Sequence, residues 1–372
     1  MNKTVRNLLI IALAMILAGA VFVATGHAFG ARLGWQWIFS GFSPGVNVGG
    51  LSGYRNWNNA FNEDGNYYID AQGLDSLELD WIAGNVIILI YDGSEVKLCE
   101  RSAAPVSEGA ALRYGMENGT LYVQYCAPEV SGNLPEKELT VSIPKSLADN
   151  MDTFSYDASS ASLLVSNITA KRFLFDSSSG DLDATGMKAD KVTLDASSGK
   201  VSFSGAYDTL EADTSSGAVT IESLGGASST SIDTSSGDVS VSGDCGALSI
   251  GTTSGVAGSF GALSAESLSV DTSSGRVNLA GSFGRTRVGT TSGDVTLALD
   301  ACPDKLSIST SSGDVTLSLP AQSGFTLRYD TSSGEMSCDF AAVKDGNQFA
   351  VGDGAADFSV DTSSGSLRVK AK

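Results

Sequence analysis

The residue types that could carry chemistry in this chain are serine, aspartate and cysteine, and their spacing decides what each can do. Ser and Asp meet in a recurring Asp-Thr-Ser-Ser-Gly string, raw material for a serine hydrolase. A Ser-His-Asp arrangement needs an imidazole to take the serine proton, and the sole histidine is His27, near the N-terminus. Zinc needs clustered Cys or His, whereas Cys99, Cys126, Cys245, Cys302 and Cys338 are scattered. A further possibility is a column of carboxylates: Asp157, Asp176, Asp195, Asp213, Asp233, Asp271, Asp330 and Asp361 each stand four residues before a corner glycine. Stacked carboxylates could hold Ca²⁺ or a cationic peptide. The same residues are also placed to bond the N–H groups of the turn that follows them. Gly251, Gly289 and Ser309 interrupt the column, which a metal ladder would not favour, so turn capping is the expected role. No catalytic, metal-binding or cofactor-binding residue is assigned.

What positions these residues is a repeat. A Ser-Gly step recurs at Gly180, Gly199, Gly217, Gly237, Gly255, Gly275, Gly293, Gly313, Gly334 and Gly365, with Ala161 in the same place of an earlier copy. The spacing is 18 to 21 residues until the last, which is 31. The residue before the glycine is Ser in every copy, from Ser160 to Ser364. Five before it the column is apolar, from Tyr156 and Phe175 to Val360; two after it the column is apolar again, from Leu163 and Leu182 to Leu367. Apolar residues at period two on both sides mark two short strands, each with one buried face. The parity changes across Thr-Ser-Ser-Gly, so the chain turns there, and glycine is expected to supply backbone freedom.

A coil of about 19 residues cannot bury its own apolar face, but it can when stacked on like neighbours. The expected fold is all-β: a single-stranded parallel β-solenoid, a right-handed β-helix by the usual crossover hand, of about 11 to 12 coils with an N-terminal β cap. The rival, an antiparallel meander, would need far more strands than one sheet usually holds. Leu77, Leu79, Asp80, Gly84, Val86 and Ile88 fit the same columns as an outlying first coil. The strand-like runs 111–114, 120–125 and 138–143 are expected to cap the open sheet end. The long final spacing predicts a loop or hairpin around residues 339 to 357 that covers the other end. Cys338 falls on an inward position, and Cys245 and Cys302 lie about 14 Å apart by ladder rise, too far to bond. Cys99 and Cys126 end two strands and are either a disulfide or two free thiols. Asn118 and Asn167 head glycosylation sequons that are read as coincidental.

Formal net charge is −19 with 42% hydrophobic residues. That composition supports a buried core and excludes nucleic acid, which requires a basic surface. Leu8 to Thr25 is an uncharged, mostly apolar run long enough to cross a bilayer. Lys3 and Arg6 precede it, which places the N-terminus in the cytoplasm and the rest outside. Trp35, Trp37, Phe39 and Phe42 follow, as an interfacial aromatic cluster. The competing reading is a cleaved signal peptide with a site near Gly26-His27-Ala28. The expected layout is a short cytoplasmic tail and single-pass transmembrane helix (1–30), a juxtamembrane linker (31–66), the first coil with the cap (67–150) and the solenoid (151–372).

Leu79-Glu-Leu-Asp-Trp-Ile-Ala-Gly-Asn-Val86, Leu139-Thr-Val-Ser-Ile-Pro-Lys145 and the serial Asp-Thr-Ser-Ser-Gly-Asp-Val copies resemble the bacterial putative-adhesin family of unknown function. Its repeat domain also occurs in daptomycin-sensing surface proteins of Gram-positive bacteria. The resemblance covers about residues 67 to 370. It implies a membrane-anchored β-helical ectodomain without enzymatic activity or cofactor, acting as an adhesin-like binding or scaffold module. The expected partners are the membrane, through the N-terminal helix, and an envelope or extracellular ligand. Cationic peptides are one candidate ligand, and envelope-stress or antimicrobial-peptide sensing one candidate role. The alternative is a polysaccharide-acting β-helix enzyme of the envelope, which would need paired carboxylates and sugar-stacking aromatics along a groove. In that setting the variable outward positions after each glycine (Asp181, Lys200, Asp238, Arg276, Asp294, Asp314 and Glu335) are the expected places for partner recognition.

Overall fold

The computed structural model describes residues 46–48 and 53–372. The apolar run Leu8 to Thr25, the aromatic cluster after it and His27 lie outside the described residues. Among the described residues no helix is long and apolar enough to cross a membrane, and the only helix is the single turn Lys145–Ala148.

The repeat strands stack in parallel, which rules out the meander. Tyr156 pairs with Phe175, Phe175 with Leu194, Leu194 with Ala212 and Ala212 with Ile232. On the other side of the corner Leu163, Leu182, Val201, Val219 and Val239 form a matching file. Each column read from the sequence is thus one rung-to-rung register. Burial alternates as the parity demands: Val219–Ser223 and Val295–Leu299 bury every second residue. Like residues stack inside the rod, with the Phe154 and Phe173 rings 5.3 Å apart and the Tyr156 and Phe175 rings 5.6 Å apart. Offset stacking of this kind adds to the area buried by each ring.

The rungs do not follow chain order at either end. The coil made by Ser76–Trp81 and Gly84–Tyr91 packs directly on the coil that holds Met151–Ala158, with Leu79 beside Tyr156 and Asp80 beside Asp157. Its other side is covered by Thr120–Gln124 and Lys137–Pro144, again in parallel. The first coil is therefore internal, and the segment that follows it in sequence forms the end. The far end repeats the device. Ala356–Thr362 and Leu367–Ala371 insert between the rung of Lys305–Thr310 and Val315–Leu319 and that of Phe325–Thr331 and Met336–Cys338.

Both end rungs are capped, but the runs 120–125 and 138–143 expected to form the N-terminal cap are themselves the parallel end rung. At the C-terminal end the hairpin Ala342–Asp345 and Gln348–Val351 lies antiparallel on Phe325–Thr331. At the other end Glu95–Ser102 runs antiparallel to Lys137–Pro144, and Arg113–Glu117 to Thr120–Gln124. The hairpin turn of that last pair is Asn118-Gly119, both with positive φ (51° and 81°), the backbone that Asn-Gly favours in two-residue hairpins. Asn167, at φ 58°, is the other left-handed asparagine. Both sequon asparagines are thus explained by backbone conformation.

Under the N-terminal cap sits an ion pair that the residue pattern did not announce. Lys137 and Glu100 are both buried, with Nζ 2.6 Å from Oε1. Lys137 also donates to the carbonyls of Ala110, at 2.8 Å, and Tyr125, and lies over the Tyr125 and Trp81 rings. Glu100 accepts the Leu112 N–H. Burial pushes the lysine down while Glu100 holds it up. A buried pair persists only where its remaining donors and acceptors are met, and here all three ammonium protons have acceptors.

Candidate functional site

The corner holds the residues singled out for chemistry, and the structure redistributes their roles. Stacked corners leave no space for a side chain on the glycine. A Cβ on Gly237 would lie 1.9 Å from the Gly217 carbonyl oxygen, and one on Gly293 1.8 Å from that of Gly275. The corner glycines from Gly180 to Gly365 do not have positive φ, whereas Gly84 of the first coil does, at 101°. Close approach between rungs, not backbone freedom, is what requires glycine there.

Turn capping falls to the residue three before the glycine, not to the aspartate four before. Threonine at this position points inward and is buried, and its Oγ1 accepts the glycine N–H. The bond is 2.9 Å for Thr234–Gly237, Thr252–Gly255 and Thr272–Gly275 and 3.0 Å for Thr310–Gly313. Ser177 does the same for Gly180 at 2.8 Å. The hydroxyl is short and faces the amide, whereas parity turns the neighbouring carboxylate to the outside.

The outward positions after the glycine are also reassigned. The N–H of this residue would be unpaired between rungs, and a side chain of the adjacent rung meets it. Asp181 accepts from Lys200 N–H at 2.7 Å, Asp238 from Val256 at 2.9 Å, Asp294 from Asp314 at 3.1 Å and Asp314 from Ser366 at 2.8 Å. The last of these bonds also records the inserted C-terminal rung. Four of the seven positions expected to serve recognition thus join rung to rung.

That leaves the aspartate column before the corner as the free one. Asp176, Asp195, Asp213 and Asp233 line an open trough of about 530 Å³ along the rod, with Ser197, Ser215 and Ser235 beside them. A second trough, of about 430 Å³ and lined by Asp330, Asp361 and Ser309, continues the same column near the C-terminal end. At the interruptions the preceding carboxylate leans across the gap: a Cβ on Gly251 would lie 2.0 Å from Asp233 Oδ1, and one on Gly289 2.6 Å from Asp271 Oδ1.

The column is electrostatically strained where its rungs are consecutive. Partial burial raises the carboxyls of Asp157, Asp195 and Asp213, and neighbouring rungs add to it: Asp176 acts on Asp157, and Asp233 on Asp213. Asp80, the first member, is pushed up to about 7, by burial first and then by Asp157 and Glu78, against a hydrogen bond from Tyr54. Asp330 is the exception, pulled down by Asn347 and Arg328. Among the described residues no group of three or more His, Cys, Asp or Glu side chains is placed to hold a metal ion. All five cysteines are free thiols, Cys99 and Cys126 included, and Cys338 is only half-buried because its rung is the last.

Residues 112–258 and 206–370 match the sequence model of the Toastrack DUF4097 family, two overlapping passes along the same stack. No curated protein matches the chain. Three solved chains match it, among them the following two. One is a putative cell adhesion protein from Clostridium sporogenes, at 10% identity and TM-score 0.18, covering 82% of this chain and 99% of that one. The other is a putative adhesin from Bacteroides fragilis, at 8% identity and TM-score 0.30, covering 82% of this chain and 95% of that one.

Proposed function

The chain belongs to the Toastrack DUF4097 family, and from that premise we propose that it is a surface binding rod whose acidic trough takes cationic partners, polycationic peptides first among them. The observation that carries this reading is the run of consecutive carboxylates, from Asp176 to Asp233, left without a structural task in an open concavity. Like charges about 4.8 Å apart repel, and a bound cation removes that repulsion at each rung it spans. An extended peptide with repeated positive charge matches a file of this kind better than a single ion does. The apolar run Leu8 to Thr25 serves in this reading as a membrane anchor, which places the rod on the outer face of the cell membrane. Capture of cationic peptides there would suit a module that senses antimicrobial peptides or envelope stress.

A polysaccharide-acting enzyme would need aromatic platforms beside its carboxylates, and the trough is lined by Asp, Ser, Thr, Ala and Gly alone. The decisive experiment is a titration of the purified chain with a polylysine peptide. Binding at low ionic strength that fades as the salt concentration rises is the expected outcome. The Asp195→Asn, Asp213→Asn double variant should bind more weakly. No binding at low salt overturns the proposal.

A further inference from the structure

Residues 53 to 60 lie as a strap on the outside of the N-terminal end rung and the first coil. Tyr54 donates its hydroxyl to Asp80 Oδ1 at 2.8 Å. The Arg55 N–H donates to Gln124 Oε1 at 3.0 Å, while its guanidinium pairs with Glu117 and lies 4.0 Å from the centre of the Tyr122 ring. Trp57 stacks on Tyr122 at 5.7 Å. The strap thus lays a cation and two aromatic side chains on a bed made by Asp80, Glu117, Tyr122 and Gln124.

That bed and the acidic trough belong to one column. Gln124 and Asp80 are register partners, Asp80 pairs with Asp157, and Asp157 pairs with Asp176. The file then runs through Asp195 and Asp213 to Asp233, where Gly251 ends it. Carboxylates from Asp80 to Asp233 therefore stand on successive rungs, over about 24 Å at ~4.8 Å per rung. The strap bonds only the first of them.

The strap is also an incomplete occupant of its bed. Gln124 is 5% exposed, and its Nε2 has no hydrogen-bond partner. A side-chain amide can accept a peptide N–H and donate to a peptide carbonyl, and Arg55 supplies only the N–H. The buried indole Nε1 of Trp57 is unpaired as well. Unmet buried donors cost free energy that a better-fitting chain would recover.

We propose that the strap is an internal competitor, which a cationic peptide displaces when it is long enough to reach beyond Asp157. The inference rests on the reading of the trough as a peptide site. Four extended residues span about 13 Å and are accommodated between Asp176 and Asp233 with the strap in place. The column stops at Gly251, so a longer peptide keeps its charges over carboxylates only by extending toward Asp80. There it meets Tyr54, and it can take both halves of the Gln124 amide where the strap takes one. Being tethered, the strap competes at high effective concentration. It lowers the apparent affinity of long peptides by the fraction of time that it is closed, and leaves short ones unaffected.

Tetralysine and decalysine, titrated on the full chain at low ionic strength and compared at matched occupancy, separate the two classes. Hydrogen exchange of the Arg55 and Trp57 amides, both hydrogen-bonded in the closed strap, reads its release. Decalysine should raise their exchange several-fold and tetralysine should not. Trp57→Ala, which loosens the strap without removing a carboxylate, should bind decalysine several-fold more tightly and tetralysine as wild type does. Decalysine binding with strap protection unchanged overturns the competitor and leaves the trough reading intact, as does a Trp57→Ala variant that binds decalysine no better than wild type. Equal release by tetralysine assigns the effect to added charge in general and overturns it too. Absence of decalysine binding to both proteins overturns both readings.

Discussion

Two acidic columns flank the same corner, one four residues before the glycine and one immediately after it, and they lead different lives. After the corner, Asp181, Asp238, Asp294 and Asp314 each accept an N–H from the adjacent rung. Before it, Asp176, Asp195, Asp213 and Asp233 line an open trough, and the turn amide they might have met is held by a buried threonine instead. Both columns are aspartate and both face outward. The difference lies in which backbone donor is left over at each point: where one exists, the carboxylate is drawn into the scaffold, and where none exists, it stays available. Acidity on a repeat surface is therefore no guide to recognition until the backbone donors have been accounted for.

The largest effect should come from the residue that sets the geometry of both columns. Gly237→Val places a side chain where the Gly217 carbonyl oxygen lies 1.9 Å from any Cβ. We expect a loss of about 3 kcal/mol or more, read as a lowered urea midpoint; an unchanged midpoint would mean that the rungs do not pack as closely as described. Next is Asp238→Ala, which strips the Val256 N–H of its acceptor. A loss of about 1 kcal/mol is expected, and a melt matching wild type would erase the contrast between the columns. The smallest effect carries the opposite sign. Asp213→Asn removes one of a file of repelling charges and should stabilise by about 0.5 kcal/mol or less at neutral pH, given solvent screening. Because burial and Asp233 raise Asp213 in the folded state, its ionisation costs stability as pH rises through that raised value. The advantage of the variant should accordingly vanish in acid, where wild type is protonated, and shrink in high salt. Destabilisation by Asp213→Asn would assign this column a scaffold role after all.

Much of the rod was legible before any coordinates. The apolar columns through Tyr156 and Leu163 reappear as stacked registers, because period-two burial and a fixed repeat leave one register in which every apolar residue is inside. Tyr156 and Phe175 are buried as expected, and the hairpin after residue 339 is present. The role of the aspartates was not legible. Parity states the face of a side chain but not which amide lies opposite it, so capping was assigned to Asp233 when Thr234 performs it. The glycine was rightly marked as indispensable for the wrong reason, since contact between non-adjacent residues leaves no local mark. The rung order at the ends was hidden for a deeper cause. Identical columns allow any coil to stack on any other, so the repeat cannot say which neighbour it takes. The distance from Gly84 to Ala161 and the long final spacing were the only traces.

That interleaving bears on how such proteins can change size. The coil at each tip is pinned by another that returns beneath it, so Leu367–Ala371 has strands on both flanks. A repeat added beside either end rung would meet an antiparallel cap in place of a vacant parallel edge. A copy inserted in the uniform middle, between Gly199 and Gly293, meets like columns above and below. Lineages that lengthen or shorten this rod should therefore differ in the number of central repeats, while both finishing modules pass unchanged from ancestor to descendant.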